Sequence, residues 1–317
     1  MTMFTGTHAI PCKDLVREYE KKKSLRSARK IIFLGVDGYD VYNISVAFSC
    51  AGKEYIAGRV EKRDTEFSMV RFFEKTGDNE YTAVFPEMMF TNFQDPFVTF
   101  IDGNLVLGGV QIIADPLVPD RIVSWHTCFY KGADIPSLRL FAIGPSHMKD
   151  IRLCGLPGGK VACFTRPQGI AGGKGKIGYI EFDNLDAVNG ESMLQAKIYD
   201  THFLPEEWGG TNDIHLLSNG LLGVMGHIAR HDEEGLHYQS MCFLFDPASR
   251  THSPVKIVAC RKDMSSGPSK RPDLKDVLFT GGIVRNKDGT ATLFTGVSDC
   301  EAYCAVIDDP FLPFEQA

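Results

Sequence analysis

A short pattern recurs five times along this chain of 317 residues: an Asp, then an apolar residue or Pro, a strand, a Gly-bearing turn and a second strand. The copies open at Asp40, Asp95, Asp150, Asp213 and Asp276, at intervals of 55, 55, 63 and 63 residues. A repeat of this length with several strands per unit leaves few architectures. One unit cannot bury its apolar face alone and must stack on the next. The turns Asp102-Gly103, Gly158-Gly159, Asn219-Gly220 and Asp288-Gly289 are hairpin chemistry, since Gly, Asn and Asp accept positive φ at low cost. The apolar runs between them are β-rich and too short for helices. Runs such as LHYQSMCFLFDP and GKIGYIEFDNL supply outer strands. The expectation is an all-β chain: a five-bladed β-propeller over residues 31–317, preceded by a partly helical extension over residues 1–30. The helical stretch is residues 12–30, and its Lys/Arg run reads as a solvated face.

Composition narrows the setting. Nine cysteines, an odd number with no CxxC pair, sit mostly in apolar runs such as VACF and MCFLF. They read as small core residues in a reducing, cytoplasmic setting. A net charge of -6 without a clustered basic face argues against a nucleic-acid partner. No apolar run approaches a membrane span, so no membrane partner is expected. Oligomerisation stays open.

In a propeller the first strand of each blade lines a central channel. The five Asp would then form a ring at one mouth of that channel. Ionised carboxylates facing one cavity need solvent, cations, or Arg and Lys partners. An Asp at this place also serves to cap a turn by accepting backbone N–H groups. Partners recur near the end of the second strand in four of the copies: Arg59 and Arg63, Arg166, His227 and Arg230, and Asp299. An Asp-and-Arg basin suits a hydroxyl-rich ligand. Tyr42, Trp125 and Trp208 are candidate stacking platforms for sugar faces, although a lone aromatic is more often core. Gly172-Gly173-Lys174-Gly175-Lys176 lacks phosphate-loop spacing and reads as a plain loop. The histidines form no zinc array, and no metal site is assigned.

With these residues laid out, a family likeness follows. IAGRVEKRDTEFS, QDPFVTFIDGNLVL and DGTATLFTGVSD resemble motifs of the five-bladed propellers of glycoside hydrolase family 130, which groups mannoside phosphorylases and mannosidases. GVDGYDVYN, FTRPQG, WGGTNDIH and the Asp-Pro-Phe at 309–311 resemble the bacterial domain-of-unknown-function family 1861. The first resemblance implies that Asp95 is the proton donor, acting through a hydroxyl of the bound mannose. It also implies that Arg59 contacts sugar or phosphate, and that Arg166 is a further anion-binding position. Gln94 and Phe97 stand where that family has Glu and Arg. Lys149, Arg152, Lys270 and Arg271 are loose candidates for holding phosphate.

The reading is therefore a carbohydrate-active enzyme, a glycoside hydrolase or phosphorylase acting on mannosides or related glycosides. Asp95, Asp40 and Asp150 are its candidate catalytic carboxylates. Arg59, Arg166, Asp213, His227, Asp276 and Asp299 are its candidate substrate-binding residues. No cofactor is expected, with inorganic phosphate a co-substrate if the reaction is phosphorolysis. Two other readings stay open. One is a non-catalytic sugar-binding propeller. The other is a lactonase-like propeller in which Asn43, Asn212 and the Asp ring hold a divalent cation.

Overall fold

The computed structural model describes residues 4, 7–118 and 120–315, so the outermost residues of the two expected segments lie outside the described residues. The chain is mostly β, and the described strands form four sheets within which five antiparallel groups follow in chain order, the fourth and fifth joined by a parallel pairing of Gly235–Asp246 with Asp276–Arg285. The first is built on Asp40–Tyr42, Lys53–Glu61, Met69–Lys75 and Glu80–Val84. The second holds Phe93–Ile101, Asn104–Ala114, Ile122–Gly132 and Arg139–Ile143, and the third Arg152–Gly155, Val161–Thr165, Ile177–Phe182 and Lys197–Tyr199. The fourth is built on Trp208–Leu216, Leu222–Asp232 and Gly235–Asp246. The fifth holds Asp276–Arg285, Thr290–Val297, Glu301–Asp308 and, from the other end of the chain, Leu25–Lys30.

That last strand corrects the expected extension. The helix runs only over Cys12–Lys21, and Leu25–Lys30 pairs antiparallel with Glu301–Asp308. Residues 25–30 form a half-exposed outer strand, where lysine and arginine heads stay in water. The helix is held by its apolar stripe of Cys12, Leu15 and Tyr19, whose spacing places all three on one face. Tyr19 Oη donates to Asp263 Oδ2 at 2.8 Å, and the Cys12 N–H donates to Glu207 Oε1 at 2.7 Å.

Each unit presents apolar faces to its neighbours, so the core is divided. Phe72, Phe93 and Leu107 pack between the first and second units, and Phe97, Phe129, Ile151 and Cys163 between the second and third. Phe164, Phe243 and Phe245 fill the third–fourth interface, Leu278, Leu293 and Met225 the fourth–fifth. Ile44, Ile56 and Phe294 join the fifth unit to the first. Burying each large side chain contributes roughly 1.5–3 kcal/mol. All nine cysteines are free thiols, eight of them buried among these residues. The leading strands touch in succession: Lys53–Glu61 against Phe93–Ile101, then Arg152–Gly155, Trp208–Leu216 and Asp276–Arg285. The strands Thr290–Val297 and Glu301–Asp308 then meet Asp40–Tyr42. Among the described residues, no helix is long and apolar enough to cross a membrane.

Candidate active site

The leading strands are interrupted near one end, and the interruptions aim polar side chains. Register shifts fall at Asp95-Pro96 in the second unit, Asn212 in the fourth and Gly281 in the fifth. Asn43, Asp95 and Asp150 adopt φ of 42°, 48° and 56°. Asn and Asp tolerate this left-handed region best among residues with a Cβ, and such strain gathers at functional sites. The positions that correspond between units are thus Asn43, Asp95, Asp150, Asn212 and Gly281, not the five repeated Asp.

Two clusters result. In the first, the Asp95 carboxylate is buried, and its Oδ1 accepts from Asn43 Nδ2 at 3.0 Å and Arg59 Nη1 at 3.2 Å. Arg59 is also buried, lies 4.9 Å from the centre of the Tyr42 ring and donates through Nε to Glu61 Oε2 at 2.7 Å. Glu61 accepts from Tyr42 Oη at 2.9 Å and binds Lys270; Lys270 also reaches Glu66 at 2.9 Å. The missing side chain of Gly296 makes room here, since a Cβ would lie 2.1 Å from Asn43 Oδ1. Asp299, half-buried with φ of 52°, completes the group. Burial pushes its carboxyl up to about 6, against the pull of Arg59 and Lys270 and with repulsion from Asp95 and Glu66. A cavity of about 670 Å³ opens beside this cluster, between Arg63, Glu66, Lys270 and Arg271.

The second cluster surrounds Asp150. Arg166 Nη1 donates to its Oδ2 at 2.8 Å, while its Oδ1 is buried without a partner. Burial alone would raise this carboxyl; Arg166, with His227, Lys149 and Arg152 around it, outweighs burial and holds it well below the usual range. Arg166 is braced by the Gly209 carbonyl at 2.9 Å. Arg152 is fully buried. Its guanidinium donates to the carbonyls of Asn212 at 2.9 Å and Ile151 at 3.1 Å, and stacks on Phe97 at 4.6 Å. Among the described residues it forms no salt bridge, and burial lowers its affinity for the proton despite Asp150, Asp95 and Asp213. His227 Nδ1 meets Asn212 Oδ1 at 2.8 Å. Burial pushes His227 down to about 3, so the ring is neutral at ordinary pH. Asn212 Nδ2 and Asn43 Oδ1 are also buried without partners.

The expected ring of five Asp does not assemble. Asp40 lies three residues before the inward position and pairs with Arg63 at the edge of the first unit. Asp213 follows the inward Asn212, so strand alternation turns it away. It binds His215 Nε2 and the Ile283 N–H, each at 2.9 Å. Asp276 begins its strand and binds His237 Nδ1 at 2.7 Å. Asp95, Asp150, Arg59, Arg166, His227 and Asp299 lie in the two clusters. Of the looser candidates, Arg152 and Lys149 border the second cluster, Lys270 and Arg271 the first. Arg230 instead pairs with Asp232 on a hairpin. Tyr42 is buried beneath Arg59, and buried Trp208 donates through Nε1 to Tyr238 Oη at 3.1 Å, so neither offers an open platform. The asparagines of the lactonase-like reading make other bonds. Asn43 turns its nitrogen to Asp95, and Asn212 turns its oxygen to His227. Sequence reasoning missed Glu61 and Glu66, and it offered Asn43 and Asn212 only as cation ligands, not as partners of Asp95 and His227. The polar residue three places after Asp40 and the one before Asp213 were the available signals.

Fold and clusters define a protein of repeated β units whose strand interruptions carry buried carboxylates beside buried arginines. The chain belongs to the family described as Protein of unknown function (DUF1861), which matches residues 17–313. It is similar to MPT-4, a mannose phosphorylase from Leishmania mexicana solved with phosphate ion, at 36% identity over 95% of this chain and 94% of that one, with a TM-score of 0.88. It is also similar to MPT-1, a GDP-Man-dependent mannosyltransferase from the same organism, at 34% identity over 95% and 94%, with a TM-score of 0.86. A structure from the GH130 family, described as mannoside phosphorylases containing glycoside hydrolases that target β-1,2 mannosidic linkages, matches over 96% and 99% with a TM-score of 0.62. At 13% identity that likeness shows the fold alone. Curated proteins give no match.

Proposed function

We propose that the five units close as a five-bladed β-propeller and that the chain is a mannoside phosphorylase, transferring a mannosyl group to inorganic phosphate. The observation that carries this reading is Arg152: a buried guanidinium with two carbonyl acceptors and no carboxylate partner, next to Arg166, Lys149 and neutral His227. Two guanidinium groups that both lie near Asp150 suit a doubly charged oxyanion, which such forks meet with paired N–H donors. The similar mannose phosphorylase, solved with phosphate, supports the same assignment.

The proton comes from the other cluster. Asn43 and Arg59 both address Asp95 Oδ1, and Oδ2 takes part in neither bond. In the proposed reaction a phosphate oxygen bonds to the anomeric carbon as the glycosidic bond breaks. The leaving oxygen takes a proton that originates on Asp95 and passes through a sugar hydroxyl. The products are mannose 1-phosphate and the shortened glycoside. The Asp299 carboxyl, raised to about 6 by burial, keeps its proton only below that pH and lies close enough to Asp95 to feel its repulsion. Hydrolysis would need a further carboxylate to activate water. The candidates for that role are already engaged: Asp40 by Arg63, Asp150 by Arg166 and Asp213 by His215.

The test is a panel of β-mannosides incubated with and without phosphate, with released sugars separated by chromatography. Mannose 1-phosphate formed only with phosphate supports the proposal, and Asp95→Asn then lowers kcat by about 10²–10⁴-fold, the usual worth of a general acid. Free mannose formed equally in both conditions makes the chain a hydrolase. Turnover from GDP-mannose but not from mannose 1-phosphate in the reverse direction makes it a transferase.

A further inference from the structure

A second cavity, of about 630 Å³, opens where the connector 261–269 meets the start of the fifth unit, and Arg261, Lys262, Ser269, Lys275, Asp276 and Ser298 line it. None of the carboxylates or arginines of the two clusters belongs to that lining, so the space is separate from the candidate active site.

Its charge is unbalanced. Arg261 is only 8% exposed, and its acceptors are neutral: Nε donates to Ser298 Oγ at 2.8 Å and Nη1 to the Ser265 carbonyl at 3.0 Å. Among the described residues no carboxylate pairs with Arg261, nor with Lys275, which is exposed. A buried cation without a counter-ion is costly, and an anionic ligand would offset that cost. Lys262 pairs with Glu20, but a half-exposed pair of this kind contributes little and opens easily. Of the lining residues described, Asp276 is the one carboxylate, and it is held by His237 Nδ1 at 2.7 Å and Gln239 Nε2 at 3.3 Å. Ser298 is buried, and its hydroxyl also donates to the Lys275 carbonyl at 3.2 Å. One hydroxyl therefore fixes the guanidinium and the backbone of Lys275 together.

We infer that this cavity binds a phosphorylated sugar, with the phosphate on Arg261 and Lys275 and the hydroxyls on Asp276 and the serines. An excess of cations over one carboxylate suits a phosphate monoester, which a guanidinium meets with paired donors. Asp276 argues against inorganic phosphate alone. A carboxylate only accepts, and a bare phosphate would bring it a like charge, whereas sugar hydroxyls donate to it. The volume lies in the range of small-ligand sites. The class includes the product of the proposed reaction, but the assignment does not rest on that reading.

The test is calorimetric titration of the full chain with mannose 1-phosphate, mannose 6-phosphate, inorganic phosphate and unphosphorylated mannose. Ser298 is left unaltered, because its carbonyl accepts from the Lys270 N–H at 2.9 Å and Asp299 follows it in the chain. Lys275 is exposed, so Lys275→Glu should fold as wild type does, which thermal melting checks. The expected result is saturable binding of at least one hexose phosphate that Lys275→Glu weakens about tenfold or more, the usual worth of a charged hydrogen bond. Arg261→Lys keeps the charge but loses the fork, and should weaken the same binding. Mannose should show no binding that responds to either change. Lys275 lies outside both clusters, so Lys275→Glu should leave KM for phosphate in phosphorolysis unchanged. Hexose phosphate binding that Lys275→Glu leaves intact belongs to another site and overturns the inference. An effect confined to inorganic phosphate, or no binding at all, overturns it as well. A Lys275-sensitive site in a chain that turns over no mannoside keeps the inference and removes the proposed function, and phosphorolysis without such a site does the reverse.

Discussion

Arg166 and Asp150 meet at 2.8 Å with both side chains almost wholly buried, yet Asp150 keeps its second carboxylate oxygen unpartnered. Only one oxygen of the carboxylate is paired among the described residues, with Arg152 and His227 close by. Arg166→Ala leaves a buried carboxylate uncompensated and should destabilise the chain by about 3–5 kcal/mol in denaturant unfolding. Asp150→Asn should also be destabilising, with a pH signature. The folded carboxyl sits below its unfolded value, so its contribution is present above about pH 4 and fades as pH falls further. The gap between wild type and Asp150→Asn should therefore narrow on acidification. A gap that stays constant down to the acid transition would mean that Asp150 is not held ionised by its neighbours.

Asp299 predicts the opposite slope. Its carboxyl is raised to about 6, mainly by burial. A group raised above its unfolded value favours the folded state below the unfolded pKa, and that contribution is lost as pH rises through about 6. Asp299→Asn, neutral throughout, should match wild type near pH 4 and exceed it in thermal stability at pH 8. If its proton supports turnover, wild-type kcat/KM should also fall above about 6 with a limb that Asp299→Asn removes. Equal melting temperatures at pH 8 would contradict the raised carboxyl.

Gly210 lies where the second cluster closes. A Cβ there would stand 3.1 Å from Arg166 Cδ, Asp150 Cβ and His227 Cε1 alike. Each neighbour would have to give by a few tenths of an ångström, and all three belong to the anion cluster. Gly210→Ala should thus raise KM for phosphate about tenfold or more while leaving the far-ultraviolet spectrum unchanged, since small misplacements of bidentate clamps are costly. An unchanged KM for phosphate would place the anion elsewhere.

The repeat made the five units legible, because hairpin turns and short apolar runs leave a strong local signal. Inward direction did not follow from it. Asp40 and Asp276 carry the repeated letter at the outer ends of their strands, whereas Asn43 and Gly281 occupy the interrupted positions without it. A bulge shifts which side chain points inward by one residue, and one residue turns a side chain to the other face. Asp213 and Asn212 show the consequence: adjacent in sequence, one braces a neighbouring strand and the other faces His227. Glu61 and Glu66 were hidden for a different reason. Their partner Lys270 is more than two hundred positions away in the chain, and only tertiary packing brings them together.

The same packing makes the amino-terminal strand a structural part of the fifth unit. Leu25–Lys30 covers the edge of Glu301–Asp308 from Leu25 opposite Ile307 to Lys30 opposite Tyr303, with a bulge between Leu25 and Ser27, and Lys30 Nζ reaches Glu301 Oε1 at 2.5 Å. Behind that edge lie Tyr303, Ala305 and Ile307, all in the core shared by the fourth and fifth units. Deleting residues up to Lys23 should lower the melting temperature by stripping the helix from its apolar seat. Deleting up to Lys30 should do so further and also expose an unpaired strand edge, a template for intermolecular pairing. Light scattering against concentration separates the two effects: only the longer deletion should aggregate in a concentration-dependent way while still folded. If both truncated chains melt together and stay monodisperse, Leu25–Lys30 is a dispensable cover and the fifth unit is stable with three strands.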